Sequence, residues 1–435
     1  MKYFMAGIKG SGMSGLACML HDLGNEIIGY DDLTYYAVTE PPLRERNIPI
    51  YNDVSHLDKD MIVINTAAIH EDHKVIKRAR ELHLTVKGYF EIIGDLTRKY
   101  NSICIAGTHG KTTTTALLSR ILVNTIGTNY LIGDGTGFID KESDNFVIES
   151  CEFERHFLNY TPSYAIVTNI ELDHVDCYKN VDEIIEVFNE FINKAKNGVI
   201  ACGDDLNVRK LKAPNITYYG FNDNNDVIAK NLVQRSDGTS FDCYIKGEFY
   251  GHFDIKLYGK HMILDSLACI YMSYLLGVSK EDILYYLDTF KGAKRRFDEE
   301  VVLDSILVDD YAHHPTEIKT VIETARQKYP EKTVVAVLIP YTLSRVKAFY
   351  KEFADVIKLA DKAFVTEIEP ARERLEDYPG ITSKMILDLT PGAEMISAET
   401  IDKLYDYKNS VILFMGCKDS SYLRDAYKKG KIKWI

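Results

Sequence analysis

One short stretch constrains this chain more than any other. The apolar run Ser102–Ala106 stops at Gly107 and passes through Gly107, Thr108, His109, Gly110, Lys111, Thr112 and Thr113 into the amphipathic segment TTTALLSRIL. A strand that ends in a glycine loop and re-enters a helix is the unit of a parallel α/β sheet, because parallel neighbours need a crossover connection. The same loop is built for phosphate. Its glycines let backbone N–H groups turn inward, the helix adds a positive N-terminus, Lys111 supplies a cation, and a threonine hydroxyl can ligate Mg²⁺. The longer phosphate loop G-x-x-x-x-G-K-[ST] is absent, since Ile105 stands where its first glycine would be.

A second glycine cluster, GIKGSGMSGLA, follows the first strand-like stretch. Gly10, Gly12 and Gly15 match G-x-G-x-x-G between a strand and a helix, and Asp31 follows at the distance of a ribose-binding acid. The pattern predicts a nucleotide diphosphate on that helix N-terminus, with Gly10, Ser11, Gly12, Met13, Ser14 and Asp31 as candidate contacts. It leaves NAD, FAD and a UDP-sugar open.

A chain of 435 residues exceeds one ordinary core, so several domains are expected. Strand and helix patterns alternate from YFMAG through EIIGYD and MIVINTAA, resume at the phosphate loop, NFVIES, YAIVTNI and GVIACG, and restart at VLDSILVDDYAHHP, TVVAVLIP, KAFVTEI and SVILFMG. This predicts an α/β chain of three domains: Rossmann-like over 1–97, a phosphate-loop domain with a parallel sheet over 98–297, and Rossmann-like over 298–435. Lys plus Arg total 52 against 64 Asp plus Glu, a formal charge of −12, which argues against non-specific nucleic-acid or anionic-lipid binding. Apolar runs such as VVAVLI are too short to span a membrane. The eight cysteines lie scattered without C-x-x-C pairs, as expected of a reduced compartment, the cytoplasm.

Two nucleotide loops in one chain narrow the choice. A dehydrogenase built on the first loop leaves G-K-T-T without a role, whereas an ATP-driven enzyme acting on a nucleotide-linked substrate uses both. Here the chain resembles the Mur ligases of peptidoglycan synthesis. The resemblance is carried in order by GIKGSGMSGLA, GTHGKTTTT, YLIGDGTG, TNIELDHVD, GKHMILDSLA, DDYAHHPTEI, PARE and GITS, spread over nearly the whole chain. It implies ATP-dependent amide formation on the lactyl carboxylate of UDP-N-acetylmuramate through an acyl phosphate, with L-alanine the default acceptor and ATP and Mg²⁺ required. Glycine or L-serine as acceptor, and a nucleotide-sugar-binding regulator without turnover, are the alternatives. Nothing in the sequence separates a monomer from a homodimer.

The resemblance also implies roles for single residues. Lys111 would bridge the terminal phosphates, and Thr112, with Thr113 as alternate, would ligate Mg²⁺. His174 would help hold a second Mg²⁺, with Glu152 chosen over Glu149 as the metal-site acid. His261, Asp265, Arg296 and Asp310 would meet the nucleotide. Arg296 is preferred to Arg295 as a phosphate clamp, being able to grip phosphate bidentately. Tyr311, His313, His314 and Arg345 would face the amino acid. The chain departs from the family pattern at three places: on the acceptor side Ile339, Tyr341 and Leu343 replace the Gln, His and aromatic of Q-P-H-x-[FY]-[ST]-R; in the nucleotide stretch Asp265 stands for an Asn; and ESCE replaces EADE.

Overall fold

The computed structural model describes residues 1–433 apart from Val38, Ala67 and Arg372, with the backbone alone over 431–433. The arginine of PARE therefore lies outside the described residues. Three sheets follow one another along the chain. The first has five parallel strands in the spatial order Ile50–Tyr51, Glu26–Tyr30, Lys2–Ala6, Met61–Asn65, Thr85–Gly88. Lys2–Ala6 is central, so the chain doubles back on either side of it and leaves a crevice at its C-terminal end, where the glycine loop stands.

The second sheet has ten strands. Asn101–Ala106, the strand before the phosphate loop, lies between Tyr164–Val167 and Asn145–Glu149, parallel to both. Its residues Ile103–Ala106 are fully buried, as expected of a strand covered on both faces. At one edge the sheet continues into an antiparallel meander, Val227–Arg235, Gly238–Ile245 and Glu248–Ile255, which βαβ reading of the sequence missed. The third sheet has six strands, with Ser305–Asp310 and Thr333–Leu338 flanking Ser410–Met415 in parallel and Asp298–Val302 added antiparallel at the edge. No helix among the described residues is long and apolar enough to cross a membrane.

The first glycine motif packs as well as turns. The Ser11–Asp22 helix presses onto the Gly133–Gly137 segment of the second sheet. A Cβ on Gly15 would lie 2.7 Å from Leu131 Cδ1 and 2.9 Å from the Gly135 carbonyl, and one on Gly12 would lie 2.8 Å from the Tyr89 hydroxyl. Gly15 thus sets how closely the first domain docks on the second, while Gly12 makes room for Tyr89 within the first. Gly15→Val is expected to cost about 1–3 kcal/mol by overpacking, read as a lower denaturation midpoint. A midpoint equal to the wild type would show that this contact yields freely.

Candidate active site

The phosphate loop is held open by neighbours as well as by its own glycines. Gly107 (φ 143°) and Gly110 (φ 80°) occupy conformations that side chains avoid; a Cβ on Gly107 would collide with Thr168 and one on Gly110 with Asp265. Thr108 N donates to Asn169 O at 3.0 Å, His109 N donates to Asn169 Oδ1 at 2.8 Å, and Asn169 Nδ2 and Thr168 Oγ1 both donate to His109 O. The loop is therefore braced by the start of TNIELDHVD. Lys111 Nζ donates to the Gly107 carbonyl at 2.5 Å and the Thr108 carbonyl at 3.0 Å, and lies 3.1 Å from the Glu152 carboxylate. Burial disfavours its charge, but Glu152, Cys151 and Glu149 outweigh that and hold its pKa above the ordinary lysine value.

The two acids of ESCE take separate posts. Glu149 accepts from Thr112 Oγ1 at 2.9 Å and from Gly133 N at 2.8 Å, whereas Glu152, 2% exposed, faces Lys111 and stands 3.9 Å from His174 Nε2. Both acids therefore stand beside the loop, each with its own partners. One hydroxyl–carboxylate pair and one imidazole–carboxylate pair flank the loop, and both donor sets suit Mg²⁺ at a phosphate site.

Two cavities meet at this loop. The smaller, of about 290 Å³, is lined by Thr113, His261, Asp265 and Asp310, all expected at the nucleotide. Burial dominates its titrations: the Asp265 carboxyl is pushed up to about 7 and that of Asp310 to about 6, each against the pull of Arg296, and His261 falls to about 4 through burial and the same arginine. Asp310 also accepts from the backbone N–H of Phe297 and Ala312, tying the interdomain segment to the third sheet. The larger cavity, of about 920 Å³, takes Ser11 and Ser14 from the first domain, Lys111, Thr112 and His174 from the second, and Tyr311 and His313 from the third. His109, Gly110, Arg296 and Glu317 line both.

Arg295 and Arg296 take different surroundings. Arg295 donates to Asp309 and to the carbonyls of Gly416, Cys417 and Lys418, a structural clasp. Arg296 lies over the Tyr311 ring at 5.4 Å and borders both cavities. Arg295 (φ 52°) and Phe297 (φ 58°) on either side of it, with His174 (φ 49°) and Thr342 (φ 65°), are non-glycine residues in the left-handed region. Such backbone costs of order 1 kcal/mol each and persists where tertiary structure over-determines it, often at working sites. No sequence pattern signals it.

Four candidates sit otherwise than expected. Met13 is 1% exposed and belongs to the core, its side chain placed inward by the helix period. Asp31 is buried and accepts from Lys9 N at 2.8 Å and Leu33 N at 3.0 Å, because an acid beside free backbone N–H groups in a turn satisfies them first. His314 N-caps the Pro315–Lys328 helix and packs on Phe349 and His109, away from Tyr311 and His313. Arg345 is engaged by Asp173, with Nη2 to Oδ1 at 2.8 Å and both side chains under a tenth exposed. This ion pair fastens the third domain to TNIELDHVD. Removing one partner of a buried pair typically costs about 3–5 kcal/mol, so Asp173→Asn is expected to lower the denaturation midpoint sharply, and Asp173→Leu combined with Arg345→Met to recover most of the loss. A wild-type midpoint in Asp173→Asn would contradict this.

The chain matches family models over three consecutive stretches: the Mur ligase family catalytic domain over residues 2–101, the Mur ligase middle domain over 105–273, and the Mur ligase glutamate ligase domain over 295–417. The chain belongs to the Mur ligase family of ATP-dependent, amide-forming ligases. Among solved structures it is similar to a UDP-N-acetylmuramate-alanine ligase from Thermotoga maritima (24% identity, 100% of both chains, TM-score 0.83). It is also similar to a murein peptide ligase from Psychrobacter arcticus (21% identity, 98% of this chain and 99% of the other, TM-score 0.71). A MurF ligase from Thermotoga maritima in complex with ADP aligns over 86% of this chain and 90% of its own length (18% identity, TM-score 0.65).

Proposed function

We propose that this protein joins L-alanine to the lactyl carboxylate of UDP-N-acetylmuramate at the expense of ATP, in the cytoplasm. The observation that carries this reading is the pair of cavities sharing His109, Gly110, Arg296 and Glu317. A nucleotide whose base and ribose lie in the smaller cavity, beside His261 and Asp265, passes its phosphates over Gly110 into the larger one. There the terminal phosphate meets Lys111 and a carboxylate delivered from the Ser11–Ser14 side, and Tyr311 and His313 face the incoming amine.

The chemistry asks for charge neutralisation and alignment, with no protein nucleophile. A carboxylate oxygen attacks the γ-phosphorus and ADP leaves. The amine nitrogen then attacks the acyl carbon and phosphate departs with one former carboxylate oxygen. Lys111 and Arg296 offset the charge gathered at the transferring phosphoryl group. Thr112 with Glu149, and Glu152 with His174, would hold Mg²⁺, which when bound supplies further positive charge to the phosphate oxygens. Closure of three domains keeps water from the acyl phosphate.

The drifted acceptor stretch, with Ile339, Tyr341 and Leu343, makes the amino acid the point to measure. Phosphate release with ATP and UDP-N-acetylmuramate is expected with L-alanine above glycine and L-serine. Turnover only with a peptide acceptor would move the assignment toward a peptide ligase. Tight nucleotide-sugar binding without turnover for every acceptor would replace the ligase by a regulator.

A further inference from the structure

Where the second and third domains touch, His109 from the phosphate loop, Glu171 from TNIELDHVD and His314 from the cap of the Pro315–Lys328 helix bring their ligand atoms within 4.8 Å of one another. We infer that these three side chains form a binding site for a divalent transition cation of the zinc class, joining the second domain to the third. The inference does not rest on the ligase reading, and the site is separate from Thr112, Glu149, Glu152 and His174.

The spacing supports it. His109 Nε2 and His314 Nδ1 approach the same oxygen, Glu171 Oε2, at 3.4 Å and 3.7 Å. Around a tetrahedral ion with bonds of about 2.0–2.1 Å, adjacent ligand atoms stand roughly 3.3–3.4 Å apart. The buried His109 Nε2 has no well-aligned hydrogen-bond partner and faces Glu171 Oε2 at 3.4 Å, which leaves its lone pair or proton free for exchange with an ion. His314 Nδ1 is met otherwise by Thr316 N at a long 3.4 Å.

The surroundings hold both rings ready. His109 turns its other nitrogen, Nδ1, to Glu317 Oε1 at 3.1 Å, the outer carboxylate that usually orients and strengthens a metal-bound histidine. The His314 ring is pinned edge-on by Phe349 and is 5% exposed, with Nε2 unpaired. Thr316 Oγ1 donates to Glu171 Oε2 at 2.7 Å and fixes its rotamer. Two imidazoles and one carboxylate are the donor set of open zinc sites, and the cluster borders the smaller cavity, which His109, Glu171 and Thr316 line. Because the ligands come from two domains, an ion here couples metal occupancy to how the third domain sits over the nucleotide.

Titration of the full chain with Co²⁺, without nucleotide or Mg²⁺, tests this. One equivalent is expected to raise the strong visible bands of four-coordinate cobalt, displaced by Zn²⁺. His314→Asn and Glu171→Gln are each expected to weaken Co²⁺ binding at least about tenfold, while His174→Asn leaves the bands in place. Glu171 is half-exposed, so its variant reports even where His314→Asn misfolds by circular dichroism. Absent bands, bands that persist in a folded Glu171→Gln protein, or bands abolished by His174→Asn would overturn the assignment.

Discussion

Lys111→Ala is expected to lower kcat for phosphate release by about 10³-fold or more, with a circular dichroism spectrum like the wild type. Removing one preorganised group that stabilises transition-state charge costs about 10²–10³ in rate, and Lys111 does more than one such job. It is the cation of the loop, and it also neutralises Glu152, which is 2% exposed and 3.1 Å away. Without the ammonium, Glu152 and Glu149 stand uncompensated where a triphosphate must enter, so repulsion adds to lost attraction. Lys111→Arg is expected to restore little, because a forked guanidinium does not fit the carbonyls of Gly107 and Thr108 that seat the lysine. Activity within tenfold of the wild type would place the phosphates elsewhere.

The second large effect concerns Glu152. Glu152→Gln keeps the shape and removes the charge, leaving Lys111 buried beside a neutral amide and His174 with Asp173, 4.0 Å away, as its remaining carboxylate. Loss of one member of a buried ion pair costs about 3–5 kcal/mol, so the ligand-free variant is expected to melt early. ATP, which brings anionic oxygens to the same ammonium, is expected to raise the variant's melting temperature more than the wild type's. Its kcat is expected to fall about 10²-fold with a higher Mg²⁺ requirement. Glu149→Gln, which touches Thr112 and Gly133 instead, is expected to act chiefly on the KM for ATP. Identical profiles for the two variants would show that the acids share one ion.

Much of this arrangement is legible in the residues, and the boundary has a physical cause. The strand, glycine loop, lysine and helix from Asn101 to Val123 are local features, with glycines at positive φ, and they fold as read. Lys111, His174, Arg296 and Tyr311, from separate motifs, line one cavity, and Glu152 stands behind it against Lys111 and His174. What the sequence hides is tertiary. Asp173 and Arg345 are far apart in the chain, and only packing shows that they neutralise each other. Asp31 sits at the spacing of a ribose ligand yet is occupied by Lys9 and Leu33. Gly12 and Gly15 fit a phosphate fingerprint equally well whether phosphate or a neighbouring segment demands the absent side chain.

The division of labour between Glu149 and Glu152 was also out of reach. Three residues apart at a strand end, they point to different partners because Glu149 closes the Asn145–Glu149 strand while Glu152 begins the turn into Phe153–Asn159. The strained positions beside Arg296 and at His174 belong to the same class of hidden information.

Oxygen transfer tests the central claim most directly. UDP-N-acetylmuramate carrying ¹⁸O in both oxygens of its lactyl carboxylate is incubated with the protein, ATP and L-alanine, and the released phosphate is analysed by mass. If carboxylate and γ-phosphate react beside Lys111, each phosphate formed carries one ¹⁸O and the amide retains the other. Phosphate free of ¹⁸O alongside continuing ATP consumption would contradict the account, because the two groups would not have met.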